Sequence, residues 1–409
     1  MRELPPGWAR TRVGDAFDMQ LGKMLSKDAA AGPSQREYLT NKNVQWNRLG
    51  FDELNYMSFS ESEREKFRLI HGDLLVTEGG EVGRTAIWEE QRAECYFQKS
   101  LHRLRTRGAI EPRYMLHYMA YAARHGLFVD GVSQTSIAHL PQDKFAEHLV
   151  AHPVELGEQR RIVEVIDAVS EQERSIQAGI SKMWQVRGGL LDHAFHERAN
   201  ACTASTDGVT GNGCDGWPHI AIGDLCDVAS GATPSRAAGS RYFTDVGTPW
   251  VKTLDLNEGP ISVTGEALTE VAMSELRMRL FPARSVLVAM YGGWEQIGRT
   301  SILEVPAAVN QAISVLEARA DLDPDYLLLA LQHGRHQWSR FAASTRKDPN
   351  ITKSDVLGFK IPVPPREEQA RIVALAAAPL REIAADEEAL TKMRKLKQGL
   401  VGRLLAGAA

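Results

Sequence analysis

Cysteine is scarce: Cys95, Cys202, Cys214 and Cys226 are the only four in 409 residues. A disulfide framework is therefore excluded as the organiser of the fold, and a reducing compartment suits the chain. Three of the four recur at intervals of 12, but no C-x-x-C is present, and zinc needs closely grouped ligands. The 12 histidines form no H-E-x-x-H or similar group, so no metal site is expected. No run approaches the ~18 apolar residues of a membrane span. The opening MRELPPGWAR has no apolar stretch behind its basic residues, which argues against a secretory signal and makes the cytoplasm the default. Positive charge is also lacking. The net charge is −4, and residues 1–155 carry 20 Lys+Arg against 21 Asp+Glu. A chain that gripped nucleic acid over a broad surface would be basic. Any such contact here must be local, or partner subunits must supply much of the phosphate contact.

Catalytic motifs are missing as well. There is no G-x-x-x-x-G-K-[ST] phosphate loop. No Gly-rich cofactor loop is paired with an N/D-P-P-Y segment of the adenine-methyltransferase type; Asp348-Pro349-Asn350-Ile351 echoes it only superficially. No carboxylate–lysine nuclease cluster stands out. An enzyme would need such groups, so neither an active site nor a cofactor is expected in this chain.

What is there is a repeat with a period of about 210 residues. Gly7-Trp8 returns as Gly216-Trp217, and Val13-Gly14-Asp15 as Ile222-Gly223-Asp224. GDLLVTEGGEVGRTAI (72–87) returns, three residues longer, as RSVLVAMYGGWEQIGRTSI (284–302). Glu111-Pro112-Arg113-Tyr114 is matched by Asp323-Pro324-Asp325-Tyr326, and EQRRIVEVI (158–166) by EQARIVALA (368–376). Each match is short; their shared order identifies a tandem duplication.

Each half opens with short β-rich runs and Gly turns and closes with a long helical pattern. In the first half LLVT (74–77), TAIW (85–88) and LHRLR (101–105) read as strands. PRYMLHYMAYAARHG (112–126) reads as a helix that Gly126 ends. From Ile162 a seam steps 4,3,4,3 through Ile166, Val169, Glu173, Ile176, Ile180, Met183, Arg187 and Leu190. Its copy runs Ile372, Ala376, Pro379, Ile383, Asp386, Leu390, Met393, Lys397, Leu400. Such 3.5-residue spacing argues for helices packed along their length. Pro379 should kink or delay the second one. The plainer alternative is two amphipathic helices that each lie on their own domain. About 20 polar residues join the first helix, roughly 50 Å long, to the second domain. That favours antiparallel packing, with each domain at its own helix's N-terminus. The expected fold is α+β: two similar α/β domains separated by two long helices in an antiparallel, pseudo-two-fold coiled coil. The divisions read 1–153 first domain, 154–195 central helix, 196–216 linker, 217–364 second domain and 365–409 C-terminal helix.

PVELGEQRRIVEVID (153–167) and PVPPREEQARIVAL (362–375) resemble the proline-rich helix starts of type I restriction–modification specificity subunits. YLTNKNVQW (38–46) is similar to a first-domain signature of that family. SGATPSR (230–236), TPWVKTLDL (248–256), GRTSIL (298–303) and VNQAISVL (309–316) are similar to second-domain blocks, and together the matches cover roughly residues 5–405. The resemblance implies two target-recognition domains that read the halves of a bipartite, asymmetric sequence in double-stranded DNA. It implies docking of two methyltransferase (modification) subunits and of restriction/translocase subunits. S-adenosylmethionine, Mg2+ and ATP then belong to those partners. The first domain offers LGKMLSKD (21–28) where the second has its G-x-T-P-S turn. A competing function is a duplicated coiled-coil scaffold that assembles partners without reading DNA. The near-neutral charge favours it, and two large, divergent heads oppose it. A self-contained nuclease or methyltransferase is the weakest reading.

Candidate DNA contacts are local. Thr233 and Ser235 lie in a small-residue turn whose backbone can approach phosphate, and Lys252 lies in the TPWVKTLDL block. Lys42, Asn43 and Gln45 precede Trp46; Asn and Gln can pair with adenine, and Lys with guanine. Gly79-Gly80 with Arg84, and Tyr291-Gly292-Gly293 with Arg299, hold equivalent places after a strand, where the Arg can fork onto phosphate or guanine. Gln98-Lys99 and Asn310-Gln311 are equivalent polar pairs before a strand. Arg346, Lys347 and Lys353 make the best basic patch. For each, the bland alternative is a solvated loop or a structural hydrogen bond.

Overall fold

The computed structural model describes residues 4–128, 140–199, 216–341 and 350–405. The chain divides into two compact units, Met1–Ala178 with Glu388–Ala409, and Gly179–Glu387. Each unit therefore takes one domain and half of each long helix.

In the first unit a four-stranded sheet runs Phe17–Leu21, Leu101–Thr106, Leu74–Thr77, Thr85–Ile87. Every residue of Leu74–Thr77 is buried because both faces are covered. Leu74 and Val76 point into a cluster with Tyr114, Met115 and Tyr118 of the helix Pro112–Arg124. Leu75, one residue out of phase, packs with Tyr38, Phe59, Tyr96 and Phe97 on the other side. That second layer is a small sheet, Asn55–Ser58, Gln35–Leu39, Tyr96–Phe97. Trp8–Arg12 pairs with Leu149–Pro153 and closes the domain. Gly126, at φ +66, follows the C-cap of the 112–124 helix, where a left-handed residue ends the helix without Cβ strain.

The second unit repeats this plan. Cys226–Ser230, Ile313–Ala318, Val286–Ala289 and Thr300–Leu303 reproduce the first sheet's order, and Pro260–Ile261 extends it. Val286 and Val288 face the helix-side cluster, while Leu287 and Ala289 face the other layer. The parallel pairing Tyr38↔Tyr96, Leu39↔Phe97 has its counterpart in Trp250↔Ala308, Val251↔Val309.

The first long helix is Leu156–Ala199, 44 residues or about 66 Å, and the second is Arg366–Leu405, 40 residues. Pro379 does not delay the second helix; it lies inside it and is buried, at the loss of one N–H bond. Every seam position named above is buried or half-buried. Within the first unit, Ile162, Val163 and Ile166 share a cluster with Leu405, while Glu173 binds Arg394 (3.0 Å) and Lys397 (2.9 Å). Within the second, Leu191 and Phe195 share a cluster with Ile372 and Ala376, and Gly179 faces Asp386. In both cases the early part of one helix meets the late part of the other, so the two run antiparallel.

The E-Q pair at each helix start has a mechanical role. Gln159 is fully buried; its Oε1 accepts from Glu111 N (2.8 Å) and its Nε2 donates to Ala109 O (3.0 Å) and Pro153 O (2.8 Å). Gln369 does the same with Asp323 N (2.8 Å), Asp321 O (3.1 Å) and Pro364 O (2.9 Å). One buried amide thus pins each long helix to the first turn of its domain's helix, and its loss would strand three backbone groups.

Candidate nucleic-acid interface

At the end of each main sheet, several loops meet through backbone bonds that the two domains share. In the first, Glu78 N donates to Ser100 O (3.1 Å) and Leu140 N to Glu78 O (2.8 Å). In the second, Met290 N donates to Ala312 O (2.8 Å) and Ile351 N to Met290 O (3.0 Å). Lys23 N to Phe97 O and Ala232 N to Val309 O, both 3.1 Å, complete the match. The residues before them, Gly22 and Gly231, admit no side chain: an added Cβ would lie 2.4 Å from Gln98 O and 1.8 Å from Val309 O. Gly22 is therefore the first domain's counterpart of the glycine in the G-x-T-P-S turn.

These loops bring most candidate contacts to one edge in each domain. In the first, Asn41 N donates to Ser100 Oγ (3.3 Å), which sets Lys42 beside Gln98 and Lys99. Lys42 and Lys99 are exposed, without an ion pair among the described residues. Gly80 (φ +79) lies on the adjoining loop, and Gly79 precedes it. Arg84 is held inward: its guanidinium donates to Asn41 O (2.7 Å) and lies 3.4 Å from Glu81 Oε2. Gln98 is engaged with Ser100 N (3.0 Å) and Gln45 with Lys42 O (3.1 Å). Asn43 is a correction. It is 5 % exposed, and its amide accepts from Thr40 N and donates to Gly50 O and Glu53 O, so it organises a loop and has no face left for a base.

In the second domain Thr233 and Ser235 are exposed, and Gln311 N donates to Thr233 Oγ1 (3.4 Å). Tyr291 is 43 % exposed beside Gly292 and Gly293, both at positive φ. Arg299 occupies the place of Arg84, but its guanidinium has no hydrogen bond or ion pair among the described residues; the Nε of both arginines is buried and unmatched. Lys353 is exposed at the first position of the helix Lys353–Gly358. Lys252 is a second correction. Its ammonium binds Glu266 (2.6 Å), which also takes a bidentate fork from Arg236 (2.7 and 2.9 Å). Arg236 first, then Lys252, holds the Glu266 carboxyl down to about 2. Lys252 is thus spent within the protein. Arg346 and Lys347 lie outside the described residues.

Sequence reasoning passed over three features. Trp294, 55 % exposed, stands on the same loop as Tyr291 and offers a second flat aromatic face. The glycine of each G-R-T segment is a packing position: Gly83 (φ +80) faces the Phe128 ring and Gly298 (φ +68) the Trp338 ring. Asp192, His196 and His333 bring three metal-competent atoms within 4.8 Å of one another. The four-residue step from Asp192 to His196 on a helix was the available signal; His333, 137 residues further on, was not readable. Among the described residues no helix is long and apolar enough to cross a membrane.

A family model described as "Type I restriction modification DNA specificity domain" matches the chain twice, over residues 5–182 and 215–377. The putative type I restriction enzyme MjaX specificity subunit of Methanocaldococcus jannaschii is 20 % identical over 427 residues, covering 99 % of this chain and 94 % of that protein. A solved chain from work on complex assembly and conformational transition of the type I R-M system has a similar fold. Its TM-score is 0.63 at 20 % identity, over 99 % of both chains. The S subunit of a type I system from M. genitalium aligns with a TM-score of 0.57 at 12 % identity, over 97 % of this chain and 96 % of that one.

Proposed function

The chain belongs to the type I restriction–modification DNA specificity family, and from that premise we propose how it divides the work of reading DNA. Each domain reads one half of a bipartite, asymmetric target in double-stranded DNA with the loop edge described above. One observation carries the reading: the two edges share their backbone bonds but not their side chains. In the first, Lys42, Lys99 and the Gly79-Gly80 loop face outward. In the second the outward groups are Thr233, Ser235, Tyr291, Gly292, Gly293 and Lys353, with the half-buried Arg299 beside them. A common frame with different donors and aromatic faces suits two different half-sites, since base edges specify while phosphate contacts position.

Methylation and cleavage reside in partner subunits, so the chain itself is non-catalytic. Two methyltransferase subunits dock on it and restriction/translocase subunits join them. S-adenosylmethionine, Mg2+ and ATP act in those partners, in the cytoplasm. Assembly within a type I system is what the work on the similar solved chain concerns. The near-neutral charge agrees, since partners then share the phosphate contacts.

The test replaces residues 217–360 with the matching segment of a relative of different specificity and maps the methylated sequence. The expected result is a new second half-site beside an unchanged first one. A change in both halves, or in neither, overturns the modular reading.

A further inference from the structure

Where the domain helix Pro324–His333 ends against the first long helix, three lone-pair side chains converge. Asp192 and His196 stand one turn apart on the long helix, and Asp192 Oδ1 lies 3.4 Å from His333 Nε2. One ligand atom from each of the three falls within 4.8 Å of the others. Two donors bound at ~2.1 Å to one tetrahedral zinc ion sit about 3.4 Å apart, so the Asp192–His333 spacing already has the required value. The His196 and His333 rings are perpendicular (82°) with centroids 5.5 Å apart, an edge-to-face arrangement.

The surroundings fix the rings as ligands. His196 Nδ1 donates to Asp192 O (2.9 Å), leaving Nε2 as the nitrogen with a free lone pair. Such an outer bond commonly fixes the tautomer of a metal-bound imidazole. His333 stacks on the buried Phe195 ring at 4.5 Å and 15°. That stack holds the His333 ring in place and does not itself call for Asp192 or His196 beside it. Nor does the fold require these side chains. At the matching positions of the first unit the sequence has Gly402, Ala406 and Tyr121, while Phe195 keeps an apolar equivalent in Leu405.

We infer that Asp192, His196 and His333 form a site for a divalent transition ion of the zinc class. Two imidazoles and one carboxylate supply one face of the coordination sphere. Water completes it, with His336 in the next position out, its ring 6.5 Å from that of His333. Such an ion staples the end of the first long helix to the second domain's helix. Because the ligands come from two elements that meet only in the folded chain, occupancy adds stability.

The test uses the full chain without a histidine tag, stripped with a chelator and titrated with Co2+, then Zn2+. One equivalent of Co2+ should give visible absorption bands that Zn2+ abolishes, and Zn2+ should raise the thermal midpoint. His196→Ala should weaken Zn2+ binding more than about 100-fold, beyond the effect of outer-shell changes, and should remove the thermal shift. His196 is exposed, so the variant keeps its fold, verified by its metal-free melting curve. Asp192→Asn should also weaken binding. Absence of saturable Co2+ binding in the parent chain, or equal binding in His196→Ala, overturns the assignment.

Discussion

The edges of the two domains are built on one backbone and furnished differently, and the contrast is sharpest at Arg84 and Arg299. Both follow a packed glycine in a G-R-T segment at the start of a buried strand. Arg84 is tied to Asn41 O and faces Glu81 across a loop that also carries Glu78. Among the described residues the Arg299 guanidinium meets neither a carbonyl nor a carboxylate, and its loop carries Tyr291 and Trp294. One sequence motif therefore yields a structural arginine in one copy and an available one in the other. Duplication preserved what holds the loops together and released what faces outward.

The largest expected contrast is in stability. An alanine Cβ at Gly298 would lie 2.1 Å from Trp338 Cδ1 and 2.5 Å from its Nε1, at a positive φ. Trp338 is 1 % exposed and stacked on Phe359 at 4.0 Å, so it cannot yield. Gly298→Ala should cost about 3–5 kcal/mol, combining overpacking with left-handed strain. The same change at Gly83 meets Phe128 Cε2 at 3.0 Å, and should cost about 1–3 kcal/mol. Denaturant melts of the two variants would measure both, and equal costs would mean that the two glycines do the same job. Next comes binding. Arg299→Ala should weaken association with target DNA by about 1–3 kcal/mol, roughly 5- to 150-fold, with relaxed preference confined to the second half-site. Arg84→Ala should leave affinity within about threefold and lower stability instead, since it frees Asn41 O and one loop. Fluorescence anisotropy against matched and mismatched duplexes distinguishes the two. A larger loss for Arg84→Ala would reverse the assignment of roles.

Features carried by short-range pattern were legible in the chain. The strand Leu74–Thr77 and the helix Pro112–Arg124 lie where their apolar runs put them, and the seam positions from Ile162 to Leu400 are shielded as the 4,3 spacing requires. The repeat carried the shared topology. Pro379 does not delay the second helix, because a single missing N–H is tolerated where the ring itself fills the buried seam. Features that depend on partners far along the chain were opaque. Asn43 reads as a surface amide until Gly50 O and Glu53 O close on it, and Lys252 reads as a free cation until Glu266 does. The strand order joins Trp8–Arg12 to Leu149–Pro153, and no local pattern encodes that pairing. The motif E-Q could be seen twice, but its meaning lies in carbonyls of other segments.

The smallest contrast is one of acid sensitivity. His148 and Phe359 occupy the same place, each backbone carbonyl accepting from the first residue of a short helix, Val13 N (3.0 Å) and Ile222 N (2.9 Å). Phe359 is indifferent to pH. Burial pushes His148 below the ordinary histidine range, and its Nε2 lies 2.7 Å from the Tyr118 hydroxyl. A histidine depressed in the folded state stabilises fully above its unfolded value, near 6.5, and loses that contribution as pH falls through the folded value. Between pH 7 and pH 5 the surroundings of His148 in the first domain should therefore soften, while those of Phe359 in the second should not. Hydrogen exchange in the helix Pro112–Arg124 should accelerate on acidification beyond the intrinsic rate change, and the helix Pro324–His333, whose only depressed histidine is at its last position, should respond less. His148→Phe should remove most of that pH dependence in the first domain. If acid softens the 112–124 helix as much in the variant as in the parent, another group controls it, and His148 is merely a packed ring.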